Sequence, residues 1–133
     1  MKIARTALLL LSVCLMGTLR ADQSVERAGA FATARGVSSN DLRYTCQGNS
    51  GAIGDDDLRY FVSGNCGAIR NDDGRYLCNN NCGAIRDNDL RYFCNNNCGA
   101  ISNNDLRYFC NNNCGAIQSN ALRYFCSGNC GAI

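Results

Sequence analysis

From Leu42 to Ile133 the apolar and polar positions recur every 16 residues, in six copies that begin at Leu42, Leu58, Gly74, Leu90, Leu106 and Leu122. The most regular copy reads LRYFCNNNCGAI and is followed by a four-residue polar joint. A unit this short cannot bury an apolar face alone, so the period predicts units packed on one another in an array. Three residues ahead of the copies stand Ser39, Asp55, Asn71, Asp87, Asn103 and Ser119. Side-chain oxygens of these types accept bonds from the orphan N–H groups of a first helical turn, which predicts a helix start in every copy. Asp57, Asp73, Asp89 and Asp105 then lie where the helix dipole favours negative charge. Another column holds only Gly or Asn: Gly48, Gly64, Asn80, Asn96, Asn112 and Gly128. Both residue types tolerate the left-handed conformation that ends helices. Between the two signals, Leu90, Phe93 and Cys94 have the i, i+3, i+4 spacing of one buried helical face.

The predicted fold is therefore all-α, an array or solenoid of six short helix-turn units over residues 39–133. The alternative is a β-solenoid, in which alternation puts Leu90, Tyr92 and Cys94 on one face and the Asn runs stack as ladders. The column of helix-capping residues favours helices. Gly74, standing where the other copies have Leu, is expected to weaken the third unit.

Ahead of the repeats, residues 1–21 carry Lys2 and Arg5, an apolar run from Ala7 to about Gly17, and Ala21 as a candidate cleavage residue. This is the pattern of a secretory signal peptide. The run is shorter than the ~20 residues of a membrane-spanning helix, so no transmembrane segment is expected. Val13 before Cys14 is a poor match for a lipoprotein signal. Residues 22–38 lack the repeat and predict either a cap helix over Ser24 to Ala34 or a loose leader. The expected location is secreted or periplasmic.

Without the leader, 10 Cys remain, an even number in an exported chain, which predicts a disulfide framework and places zinc second. Four copies carry CxxxC: Cys78 with Cys82, Cys94 with Cys98, Cys110 with Cys114, and Cys126 with Cys130. Copy one keeps Cys46 but has Ser50, and copy two has Val62 but keeps Cys66. Pairing inside each CxxxC, with Cys46 joined to Cys66, uses every mature Cys. Joining each first Cys to the second Cys of the following copy would strand Cys82 and Cys126. The local scheme requires the helix to end between the two Cys, since i and i+4 on an intact helix diverge. Each five-residue loop closed in that way would contribute about 2 kcal/mol.

Composition narrows the chemistry. There is no His, which removes Ser/His/Asp and Cys/His catalysis. From residue 22 the chain has 10 Arg and 11 Asp or Glu, too balanced for nucleic-acid binding by bulk charge. Every copy carries an Arg followed by a Tyr: Arg43, Arg59, Arg75, Arg91, Arg107 and Arg123 with Tyr44, Tyr60, Tyr76, Tyr92, Tyr108 and Tyr124. Stacked, these form ladders suited to an acidic or sugar polymer, because guanidinium pairs with carboxylates and Tyr stacks on rings. The competing reading has each Arg paired with a joint Asp and each Tyr covering the core edge. The acidic joints lack the Gly and distal Glu of a calcium loop and lose their acids by Ser119-Asn120-Ala121. Helix capping explains that freedom. Enzymes need one special site, whereas this array repeats the same one, so neither catalysis nor a cofactor is expected.

The DNDLRYFC and NCGAIRD strings resemble those of exported bacterial cysteine-containing repeat proteins built on D-x-D-L-R-x-x-C and C-x-x-I-x-D units, over residues 39–133. The resemblance implies a helical, disulfide-stapled array and supplies no activity. The sequence thus points to a structural or interaction module, with an envelope glycan or another protein as candidate partner. The alternative is a precursor of small CxxxC ring peptides, although no dibasic sites separate the copies.

Overall fold

The computed structural model describes residues 16–133, with side chains from residue 25 onward. Most of the expected leader, Cys14 included, lies outside the described residues. Helix α1 spans Met16–Arg35, and one helix follows per copy: α2 Ser39–Gln47, α3 Asp56–Val62, α4 Asp72–Cys78, α5 Asn88–Cys94, α6 Asn104–Cys110 and α7 Asn120–Ser127. A single 3-10 turn closes each unit, from Ser50–Ala52 in the first to Cys130–Ala132 in the last. No strand occurs among the described residues, so the β-solenoid alternative is excluded. Alternation loses because the capping chemistry acts at every helix start.

The Asp55, Asn71, Asp87, Asn103 and Ser119 side chains each accept from the backbone N–H three residues on. In copy one the cap is Ser38 instead of Ser39, and its hydroxyl accepts from the Asp41 N–H. That helix is entered from α1 and not from a joint, which shifts its start by one residue. At the other end, Asn80, Asn96 and Asn112 have φ of 61–63° and Gly48, Gly64 and Gly128 have φ of 73–80°. Each corner turns the chain out of its helix into the 3-10 turn.

The units do not form an open solenoid. From unit two to unit six each helix packs on the next, the second-unit helix α3 meets unit one through its 3-10 turn, and α2 of the first unit packs on α7 and on the final 3-10 turn of the sixth. Arg59, Arg75, Arg91, Arg107 and Arg123 each donate through Nη1 to the carbonyl six residues earlier, at Ile53, Ile69, Ile85, Ile101 and Ile117. Arg43 finds the equivalent carbonyl on Ile133, 90 positions away. Six units therefore close into a ring. An open array needs capping units at its ends; the ring has no end to cap.

Helix α1 fills the ring. It packs against units one to four and unit six, and Gly29 brings it onto Phe109 and Phe125 of units five and six. Five consecutive residues, Ala28 to Ala32, are buried. A helix on a surface buries one stripe; burial all round means that it is enclosed. Arg27 bonds Asn80 at a corner, while Arg35 bonds Asp55 at a helix start, so α1 runs antiparallel to the six ring helices and passes from one rim to the other. The core is the sleeve between them, built from Leu58, Leu90, Leu106 and Leu122, the buried Ile of the joints, and Phe31, Phe61, Phe109 and Phe125.

Gly74 has a different role from the one expected of it. Its missing side chain leaves room for the Phe31 ring, which stacks on Phe61 with centroids 5.4 Å apart. The Gly in the third unit is a socket for α1, so the loss of one Leu is matched by a large aromatic from the central helix.

Candidate functional site

All ten Cys of the repeats are in disulfides, and the local pairing scheme is overturned. The pairs are Cys66–Cys78, Cys82–Cys94, Cys98–Cys110 and Cys114–Cys126, each 12 positions apart, with Cys46–Cys130 84 positions apart. The second Cys of one copy joins the first Cys of the next. Cys94 ends α5 whereas Cys98 opens the following 3-10 turn, so the two sulfurs of one CxxxC face opposite neighbours. Cys46–Cys130 applies the same rule across the seam between units six and one. Only the junction of units one and two lacks a staple, and there Ser50 and Val62 occupy the two Cys positions. That coupled double loss, at the same spacing of 12, was the signal in the sequence for pairing between neighbours.

The Arg and Tyr residues form a belt around the ring instead of a straight row. Besides the Ile carbonyl, the guanidinium bonds a joint side chain three residues back: Arg59 to Asp56 and Arg75 to Asp72 at 2.7 Å, and Arg91, Arg107 and Arg123 to Asn88, Asn104 and Asn120 at 2.5–2.6 Å. Each also lies over the ring of the following Tyr, 5.2–5.5 Å from the centroid. The Asp56 hydrogen bond, with a smaller contribution from its charge, raises the Arg59 pKa above its ordinary value. In units two to six, two arms of the fork and one face of the cation are thus engaged inside the protein. The side chains of Arg59 and Arg75 remain about one-third exposed, at 31% and 30%.

The first-turn acids do more than meet a helix dipole. Asp57 accepts the backbone N–H groups of Arg70 and Asn71 in the next joint, and Asp41, Asp73, Asp89 and Asp105 clamp the Gly54, Arg86, Ser102 and Gln118 joints in the same way. For Asp89, partial burial acts to raise the pKa, but the bonds from the Ser102 and Asn103 backbone, the Ser102 hydroxyl and the Arg107 charge outweigh it and hold the carboxyl below its ordinary value. These acids are spent on joints, and among the described residues no group of three or more His, Cys, Asp or Glu is placed to hold a metal.

Among the described residues, two clefts break the symmetry, and sequence reasoning missed both. One, of 240 Å³, lies at the seam between Val37 and Leu42 on one side and Ala121 and Leu122 on the other; Ala121 stands where the clamping Asp would be. The other, of 250 Å³, lies at the unstapled junction and is lined by Val25, Ala28, Thr45, Gly48, Val62 and Gly64. Thr45 occupies the column that elsewhere holds Phe or Leu, and its hydroxyl is satisfied by the Asp41 carbonyl. The signals available were Ala121, Thr45 and Val62, each a departure from its column. Comparison with protein-family models, curated proteins and solved structures finds no match.

Proposed function

We propose that the protein is exported and acts outside the cytoplasm, in the periplasm or beyond the cell, as a non-catalytic structural or interaction module. The observation that carries this reading is the engagement of all ten repeat Cys in disulfides that join one unit to another. Such a framework persists in an oxidising compartment and is lost in a reducing one. The belt supports the non-catalytic part, since the Arg–Tyr pairs of units two to six are equivalent and the first differs in reaching its Ile carbonyl across the seam. Within this reading the Arg–Tyr pairs hold the ring together, because in units two to six each guanidinium is already committed to an Ile carbonyl and a joint side chain.

The peptide-precursor alternative loses its chemical basis. No disulfide lies inside a copy, so excising one CxxxC segment would not release a closed ring.

A screen of glycans and anionic polymers with the full oxidised chain tests the reading, using Arg107→Ala and Tyr108→Ala beside the parent. The expected result is lower stability with no change in whatever polymer binding the parent shows. Binding that falls with each successive Arg or Tyr removed, at unchanged stability, would assign the belt to a polymer ligand.

A further inference from the structure

We infer that Cys46–Cys130 is a redox latch that holds α1 inside the ring, and that its reduction alone frees the helix. The four staples of 12-residue separation join units that the backbone already connects. Cutting any of them leaves the ring's connectivity intact. Between units six and one the backbone provides no link, and the disulfide is the one covalent bond across that seam. It closes a covalent loop through all six units, and α1 passes through that loop from rim to rim.

Apart from the latch, the seam is held by the non-covalent packing of α2 on α7 and on the final 3-10 turn and by one side-chain hydrogen bond. The Arg43 bond to the Ile133 carbonyl is 3.2 Å, longer than the 2.9–3.0 Å of the other five. Ala121 supplies no carboxylate to clamp across it, and the 240 Å³ cleft lies there. Access favours the latch as well. Cys46 and Cys130 are both half-buried, whereas Cys94, Cys98 and Cys126, one in each of three other staples, are buried. Cys66–Cys78 is comparably accessible, but its opening breaks no loop.

The reductant is a dithiol, small-molecule or protein. Its thiolate attacks one sulfur of the latch and forms a mixed disulfide. Its second thiolate then displaces the bound Cys, which leaves Cys46 and Cys130 as two thiols and the reductant as a disulfide, a two-electron exchange. The freed seam lets units one and six part, and the all-round burial of Ala28 to Ala32 is lost.

Amide hydrogen exchange on the full chain tests this in a Cys46→Ser/Cys130→Ser variant, with Cys98→Ser/Cys110→Ser as the control. In the latch variant the amides of 28–32 should speed up at least about tenfold relative to those of 92–94 in α5, the mark of local opening. In the control the two sets should shift together. If the latch variant does not fold, limiting dithiothreitol on the folded parent, alkylation, and separation of singly reduced species give the same comparison. An unchanged ratio in the molecule that lacks only the Cys46–Cys130 bond, or an equal change in the control, overturns the proposal.

Discussion

Phe31 and Gly74 fit as knob and hole: a Cβ on Gly74 would stand 2.5 Å from both Cε1 and Cζ of the Phe31 ring. The contact reverses the usual logic of a repeat. Gly74→Leu makes the third copy match the others, yet it should destabilise the protein by roughly 1–3 kcal/mol, the cost of overpacking a filled core. Denaturant unfolding of the oxidised chain measures it. Adding Phe31→Ala should recover part of the loss. A Gly74→Leu chain as stable as the parent would mean that α1 does not occupy the ring in this register.

Peptide mapping without reduction should recover Cys82 linked to Cys94 and Cys98 linked to Cys110. Reduction of all five bonds adds about 10 Da, two hydrogens for each disulfide exchanged. A fragment with Cys94 joined to Cys98 would contradict the packing of the units.

The unstapled junction offers a gain. Ser50→Cys with Val62→Cys places two thiols in the positions that carry disulfides at the other junctions, 12 positions apart. A sixth bridge should form spontaneously and add up to about 3 kcal/mol by loop entropy. Thiol titration and thermal unfolding report on formation and gain. Persistent free thiols at both sites would show that units one and two are too far apart or too strained to join.

Which of these features were legible depends on how far each reaches along the chain. Helix caps and corners act within three or four residues, so Asp87 and Asn96 declared themselves through chemistry that any single copy repeats. The partner of Cys94 depends on which neighbour its helix end faces, and a spacing of four says nothing about that. Ring closure is less local still. It depends on a small rotation from each unit to the next that accumulates over six units, and no residue type encodes such an angle. Only the unmatched pair, Cys46 near the start and Cys130 near the end, carried a trace of it. The Arg column was visible as a pattern, but its use was not, because the acceptors at Ile53 and Ile69 are backbone atoms with no signature of their own.

Acid should weaken the ring at the Asp89 clamp. The Asp89 carboxyl titrates below its ordinary value of 3.8 in the folded protein, so the folded state binds that proton less readily than the unfolded chain. Its stabilising contribution is complete above the ordinary value and is lost as pH falls through the lower folded one. Asp89→Asn should cost about 1 kcal/mol near neutral pH, a low figure for bonds to a charged acceptor because the site is open to solvent. It should also flatten the acid limb of the stability curve. An unaltered slope between about pH 5 and pH 2 would remove Asp89 from the linkage.

Closure onto a central helix also constrains how such a molecule can change over evolutionary time. Open repeat proteins lengthen or shorten by duplicating or deleting units, because each unit contacts only its neighbours. Here α1 is packed tightly by six units, so a seven-unit ring should leave voids around one Ala- and Gly-rich helix and a five-unit ring should overpack it. Copy number is therefore as much a part of the core's fit as any side chain. The six copies accordingly differ from one another by substitution at fixed length, as at Gly74, Thr45 and Ala121.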